Sequence, residues 1–462
     1  MDELYNDKDL DSFKDKFDKL SEESQNARFE ILEPTKKEIK QVFNIIFSFL
    51  KKNKLKIYGG FALNLLISEK NPKDAFYKKN DFPDIDFYSF QPIIDVMTLC
   101  NEIFDAGFKN IKASEGQHEE TYKLFVNSRP YCDISYIPKR IYAGIPTRDI
   151  QGFKICHPHF MSIDYLRMIN DPLVSYWRID KGFKRFYLML KHFPLPHTTD
   201  KLVIPKPTED TQKCLEIVHN FIIDNPSILV IGQYAMNHFL LTAKKKSFEP
   251  QEVSFYELIS TDFENDGNKL IQKFSNLKIT ITEKYPLFQF VGRSLLIYYN
   301  DKVICILYEH YRKCYPFIEV NNVIFFENKS KKEKGTINIG SFPLVLMYNL
   351  INMIKTKIYK EPELMDYFYK CVSTLIEIRR YYFKTHNKKI FDDTIFKDFI
   401  ISCKGETINP EIEYRKRLNE KGFMYKYSPD DNRKEPESNY IFKNTSGNTI
   451  TNSKNLYFHL ET

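Results

Sequence analysis

The sequence contains no apolar run approaching the ~18–20 residues that a membrane-spanning helix needs. Its first residues, Met1-Asp2-Glu3-Leu4-Tyr5, carry no signal-peptide pattern. Neither a membrane span nor a secretory leader is expected. No two of the eight cysteines form a Cys-x-x-Cys pair, which argues against zinc-finger and thioredoxin-like readings. They are scattered, and several sit in apolar strand-like runs, so the expectation is buried free thiols in a reducing compartment. There is no strong excess of one charge either. A net charge of +7 permits a nucleic-acid partner without demanding one. What is present, 42% hydrophobic and 28% charged residues, is the balance of a soluble globular protein and excludes global disorder. The 462 residues allow two or three domains, each with its own core.

Residues 1–31 are highly charged, with Leu10, Phe13, Phe17 and Leu20 at helical spacing, and read as a surface helix. From Lys37 to Lys51, apolar residues from Ile39 to Leu50 fall on one face of a second helix. The spacing then predicts a strand over 55–58, a helix over 61–67, a strand over 84–88, a helix over 92–106 and strands near 109–113, 122–126 and 131–137. Short strands mixed with helices give an α/β (α+β) class. The pattern is helical from Ser162 to His192. Pro194, Pro196, Pro205 and Pro207 then exclude regular structure over 193–210, which reads as a linker. The expected organisation is an N-terminal helical segment (1–45), a first domain (46–192), the linker, a second domain (211–400) and a polar arm or tail (401–462).

The chemistry concentrates between Ile57 and Tyr88. Gly59-Gly60 stands at a strand-to-helix turn, where backbone N–H groups can approach a phosphate and the helix points its positive end at it. Asp84 and Asp86 are at i and i+2 of an apolar strand and so share a face. Two carboxylates on one face need a cation. Two Mg²⁺ or Mn²⁺ ions about 3.5–4 Å apart would neutralise them and clamp an in-line phosphoryl displacement. Asp133, in the apolar run Tyr131-Cys132-Asp133-Ile134, suits the third ligand and a general base. Any one of these signals is common as a turn or a solvated face; the set points to nucleotidyl transfer.

The frame of this motif recurs. Ile231-Gly232-Gln233-Tyr234-Ala235-Met236-Asn237 echoes the run from Tyr58 to Asn64, Glu252–Tyr256 echoes Asp84–Tyr88, and Ile304–Tyr308 echoes Cys132–Tyr136, at offsets of 173, 168 and 172. On that alignment Gln233 replaces Gly60, Ser254 replaces Asp86 and Cys305 replaces Asp133. The second copy is therefore expected to keep the apolar frame without a two-metal site, as a structural or RNA-binding half.

Together these residues resemble the DNA polymerase beta-like nucleotidyltransferase superfamily. More narrowly, Tyr58-Gly59-Gly60, Pro83-Asp84-Ile85-Asp86-Phe87-Tyr88-Ser89, Asp133–Pro138, Ile145-Pro146-Thr147 and Lys154–Pro158 resemble the poly(A) polymerases of large cytoplasmic DNA viruses. The resemblance is strong over roughly 45–190 and looser elsewhere. The long stretch from Gly60 to Asp84 suits this viral branch. It implies a duplicated nucleotidyltransferase fold with a mixed sheet, ATP as donor, the single-stranded 3′ end of mRNA as acceptor and an inactive second domain. It also implies either self-association as a homodimer or a separate viral processivity subunit. The implied place of action is the host cytoplasm, in viral factories or packaged in the virion.

Secondary candidates are weaker. Arg178, Lys181, Lys184 and Arg185 follow Trp177 on one helix face and could reach the triphosphate or RNA, or simply be solvated. Lys78 and Lys79 suit a solvated loop better than RNA contact. His157 suits a structural turn better than a nucleotide pocket. Arg379–Lys384 interleaves cations with aromatics, as single-stranded RNA binding does, but core-and-surface alternation gives the same pattern. Lys244-Lys245-Lys246 reads as a solvated run. The rival functions are nucleotidyl transfer to a small molecule or protein, and a non-catalytic RNA-binding or processivity subunit on the same fold.

Overall fold

The computed structural model describes residues 4–32, 34–77, 81–284, 286–311, 313–326, 329–421, 425–434, 441–443 and 449–451. Lys78 and Lys79 lie outside them. Among the described residues no helix is long and apolar enough to cross a membrane. The chain divides into two compact units: 1–136 with 147–155 and 417–453, and 137–146 with 156–416 and 454–462.

The first unit opens with α1 (Asp7–Ile31), capped by Asn6, and α2 (Lys36–Asn53), capped by Thr35 in a reciprocal box with Glu38. The stripe on α2 is buried as its periodicity requires, with Ile39, Val42 and Ile46 fully inside. Strand β1 (Lys56–Tyr58) turns directly into α3 (Gly59–Lys70). Then come β2 (Ile85–Ser89), α4 (Pro92–Asp105), β3 (Ile111–Glu115), β4 (Thr121–Val126), β5 (Arg129–Tyr136), β6 (Thr147–Ile150) and β7 (Phe153–Cys156). The sheet order is β3-β4-β5-β2-β1-β7-β6, with β2–β5 and β1–β7 parallel and β1–β2, β3–β4 and β4–β5 antiparallel. The polar tail is not simply an arm. Lys426 and Tyr427 extend this sheet beyond β3, and the Tyr427 hydroxyl donates to Asn101 Oδ1 at 2.6 Å.

The second unit contains α5 (Lys139–Gly144), α6 (Pro158–Asn170), α7 (Pro172–Ser175), α8 (Ile179–His192), α9 (Glu209–Asp224), β8 (Leu229–Ile231) and α10 (Gly232–Ala243). It continues with β9 (Tyr256–Ser260), α11 (Phe263–Gln272), β10 (Ile279–Lys284), β11 (Ser294–Tyr299), β12 (Lys302–Glu309), β13 (Tyr315–Phe326), β14 (Lys329–Gly340), α12 (Phe342–Tyr359) and α13 (Pro362–His386). Its sheet runs β10-β11-β12-β9-β8-β14-β13, which is the first sheet repeated strand for strand. The parallel pairs fall at the same places, β9–β12 and β8–β14. One buried detail is repeated as well. Ser89 donates to Asp95 Oδ2 at 2.5 Å, and Ser260 donates to Asp266 Oδ2 at 2.6 Å.

Three expectations need correction. The segment 156–192 clusters with the second unit rather than with 46–155, because its helices bond there: Ser341 Oγ donates to Asn170 Oδ1 at 3.3 Å, and Thr407 to Asp171 at 3.3 Å. The proline-rich segment is irregular over 193–208 and lies within that unit rather than between the two. Leu202 and Ile204 are buried, and Gln251 bonds to the backbone of both. Finally, Cys314 and Cys403 form a disulfide with Cα atoms 5.4 Å apart, while the other six cysteines are buried free thiols.

Candidate active site

Strand pairing brings the three aspartates together. β1 and β2 pair with Tyr58 opposite Asp86, and β2 and β5 with Asp86 opposite Asp133. Asp84 precedes β2 by one residue, on the same face as Asp86. One carboxylate oxygen from each of Asp84, Asp86 and Asp133 lies within 4.8 Å of the others. Asp84 is exposed and the other two are half-buried.

Gly59 makes this convergence possible. Its φ is +73°, and a Cβ there would fall 2.1 Å from Asp86 Oδ2. Only glycine lets the β1–α3 turn pass so close to the carboxylate. Gly60 follows in the first helical turn. Tyr58, at the N-cap, makes no side-chain capping bond, so the first N–H groups of α3 are not consumed by a cap. Tyr58 stacks on Tyr88 with centroids 4.0 Å apart and hydrogen-bonds Ser135 Oγ at 2.8 Å. That fixes β5 two residues beyond Asp133.

A fourth residue belongs here that the sequence reading missed. Lys123 faces Asp133 across the β4–β5 pair, and its ammonium donates to Asp133 Oδ2. Burial raises the Asp133 pKa, Lys123 opposes that rise, and Asp84 adds to it. Asp133 Oδ1 is buried with no hydrogen-bond partner. A carboxyl with one oxygen on a cation and one unpartnered, beside two more carboxylates, fits a divalent-metal ligand set. The only sequence signal for Lys123 was a lone cation alternating with apolar residues in a strand.

The hydrogen-bond register also corrects the alignment of the second copy. Ile231 stands opposite Glu257, and Glu257 opposite Ile306. The counterpart of Asp86 is therefore Glu257, not Ser254. By the same register, Phe255 takes the place of Asp84 and Ile306 that of Asp133. Gly232 repeats Gly59, with φ +64° and a would-be Cβ 2.2 Å from Glu257 Oε2. One acid remains where the first copy has three.

Arg178, Lys181 and Lys184 are not gathered with the aspartates in one unit. They are exposed, at or in α8 of the second unit, and Lys184 donates to Asp180 at 2.8 Å. His157 caps α6, its Nδ1 accepting from the His159 N–H at 3.2 Å. Arg379 is committed to the buried Asp398 at 2.6 Å, which removes it from an RNA-stacking stripe. Lys245 pairs with Glu377 rather than standing solvated.

The chain is similar to known proteins along most of its length. Residues 44–175 match the family model described as "Poly(A) polymerase catalytic subunit". Residues 188–460 match "APMV, Putative poly(A) polymerase, catalytic subunit, C-terminal". A protein of Acanthamoeba polyphaga mimivirus called "Putative poly(A) polymerase catalytic subunit" is 34% identical, over 97% of this chain and 83% of its own. The chain belongs to the viral poly(A) polymerase catalytic subunits. A family member from African swine fever virus (strain Badajoz 1971 Vero-adapted) is 23% identical over 63% of this chain and 58% of its own. The crystal structure of the Megavirus polyadenylate synthase superposes with a TM-score of 0.86 at 34% identity, covering 98% of this chain and 94% of that one. As a member of this family the chain is a nucleotidyltransferase enzyme with the fold expected of it.

Proposed function

We propose that the chain adds AMP from ATP to the 3′ end of mRNA without a template, at Asp84, Asp86 and Asp133. The observation that carries this reading is the convergence of the three carboxylates within 4.8 Å, with Asp133 Oδ1 unpartnered. Bound to these carboxylates, two Mg²⁺ or Mn²⁺ ions would supply Lewis acidity at the attacking hydroxyl and at the triphosphate. The terminal RNA 3′-oxygen forms a bond to the α-phosphorus of ATP, the bond to the β-phosphate oxygen breaks, and pyrophosphate leaves. In this reading Asp133 takes the hydroxyl proton. The open N-terminal turn of α3 at Gly59 and Gly60 orients the triphosphate through backbone N–H groups. Lys123 holds Asp133 in place by its ammonium contact. Arg178, Lys181 and Lys184 are assigned auxiliary contacts to the triphosphate or RNA.

The second copy lacks this chemistry. With Phe255, Glu257 and Ile306 where Asp84, Asp86 and Asp133 stand, it offers one carboxylate and serves as a structural or RNA-binding half. A homodimer or a viral processivity subunit would extend the tail processively, in the host cytoplasm or in the virion.

The test incubates the purified chain with a short labelled RNA, one nucleoside triphosphate at a time, and Mg²⁺ or Mn²⁺. ATP alone should support extension, and Asp84→Ala with Asp86→Ala should abolish it. The double variant should also lose Mn²⁺ binding by calorimetry, a readout independent of turnover. Extension that survives the double substitution would sink the mechanism. Adenylate on a small acceptor, with no RNA extended, would favour the rival activity.

A further inference from the structure

The first unit has a second feature that the transfer chemistry does not use. A cavity of about 330 Å³ lies between α1 and the segment leading into β2. Gln25 and Arg28 line it from α1, Tyr77, Asp81 and Phe82 from the segment, and Arg129 from the start of β5. Pro83, one residue before Asp84, also lines it. Arg129 and Asp133 share β5, four residues apart with an irregularity between them, so Arg129 lies within about 13 Å of Asp133 along the strand.

Its lining is specific in kind. Two guanidiniums, of Arg28 and Arg129, contribute to the same lining. Burial holds the Arg129 pKa below its usual value; Tyr131 opposes that shift and Arg28 adds a smaller push in the same direction. An anion between the two guanidiniums relieves that push, and guanidinium forks match phosphate oxygens. The Phe82 wall is held in place. Phe82 stacks on Phe43 with centroids 5.8 Å apart, and Arg129 Nη2 donates to the Phe82 carbonyl at 3.0 Å. Asp81 lines the same wall. Phosphate-binding cations beside aromatic faces are the means by which single-stranded nucleic acid is held.

We propose that this cavity holds one nucleotide of the RNA strand behind its 3′ end, the phosphate between Arg28 and Arg129 and the base against Phe82 and Tyr77. The proposal rests on RNA being the acceptor. It gives the enzyme a grip on the primer separate from the aspartates. Arg28 and Arg129 are then positioning residues: they set RNA affinity and leave the ATP reaction alone.

The experiment measures binding of labelled oligoadenylate by fluorescence anisotropy across a salt series, with steady-state kinetics in parallel. The variants are Arg28→Ala, which alters an exposed side chain on α1, and Arg28→Ala with Arg129→Gln. Thermal melting keeps the comparison to folded protein. Arg28→Ala should weaken oligoadenylate binding several-fold and lower the salt slope by roughly 0.7, as the loss of one single-strand phosphate contact does. The double variant should lose more of both. KM for RNA should rise, with kcat and the KM for ATP unchanged. Unchanged affinity and salt slope in Arg28→Ala would overturn the proposal. So would a raised KM for ATP alone, which would mark the cavity as a mononucleotide site. The outcomes separate the two readings. RNA extended at wild-type KM by the arginine variants removes the cavity and leaves the polymerase. RNA bound through Arg28 but never extended removes the polymerase reading and leaves the cavity.

Discussion

Two glycines show how a single residue type is enforced by a neighbour. Gly59 and Gly232 each take a left-handed φ and each leave room for a carboxyl, of Asp86 and of Glu257. An alanine at either site costs about 1–2 kcal/mol in backbone strain alone. It must also push the carboxyl aside. The stability cost should therefore be similar at the two positions, but the functional cost should not. Gly59→Ala moves Asp86 out of the carboxylate cluster and should lower the extension rate by roughly 100-fold, the scale of an ångström-sized misplacement. Gly232→Ala disturbs a core acid and should leave the rate within a few-fold of wild type. Melting curves and initial rates of the pair, measured side by side, decide this. Equal losses of rate would mean that Gly59 acts only through stability.

Among the elements, the helix after each glycine carries a repeated staple. Asn64 on α3 accepts from the N–H groups of Phe76 and Tyr77 at 2.9 and 3.0 Å, and so holds the loop that delivers Asp84. Asn237 on α10 binds Gln251 through both its oxygen and its amide, at 3.1 and 2.7 Å. The side chain survives in the copy that lacks the catalytic set, so its task is to order the segment entering the strand. Asn64→Ala should cost about 1–3 kcal/mol for the stranded donors and lower kcat more than it raises either KM. Asn64→Asp, which keeps the accepting oxygen, should recover most of the rate. An Ala variant with wild-type kcat would show that the loop needs no such anchor. Elements like these were legible where their signals were local: the buried stripe of α2, the alternation in β2 and β5, the prolines that keep 193–208 irregular. What depended on pairing was not. Lys123 meets Asp133 only through the β4–β5 register, which no local pattern specifies. The echo of β2 was read three residues out of place because Val253, Phe255 and Tyr256 mimic Ile85, Phe87 and Tyr88. An odd slip in a strand exchanges its faces, which concealed Glu257 as the heir of Asp86.

Over the whole molecule, one sheet is built twice and its acid is treated in two ways. In the first unit Asp86 stands among carboxylates that suit a metal. In the second, Glu257 is almost fully buried and accepts from Tyr308 and from Asn352 at 3.0 Å each. Burial pushes its pKa up from 4.5 to about 7, against these bonds and the nearby Lys355. The cysteines 305 and 371 and the tyrosines 348 and 367 that also feel this carboxyl are themselves pushed up by burial and stay neutral near pH 7. Lys355, pushed down to about 8, keeps its charge below that pH. An acid whose folded pKa exceeds its unfolded one binds its proton more tightly when folded. Its contribution is therefore complete below pH 4.5 and is lost as pH rises from 4.5 to about 7. The loss amounts to roughly 3 kcal/mol at most. Other buried acids, Asp95 and Asp398 among them, are also raised, so the informative quantity is a difference between proteins. Glu257→Gln keeps an accepting oxygen for Tyr308 and Asn352 and cannot ionise. Relative to wild type it should melt at a similar temperature at pH 5 and several degrees higher at pH 8. If the gap does not widen with pH, Glu257 is not held as a neutral acid. The second copy would then carry a charged remnant of the catalytic set rather than a core residue that has replaced it.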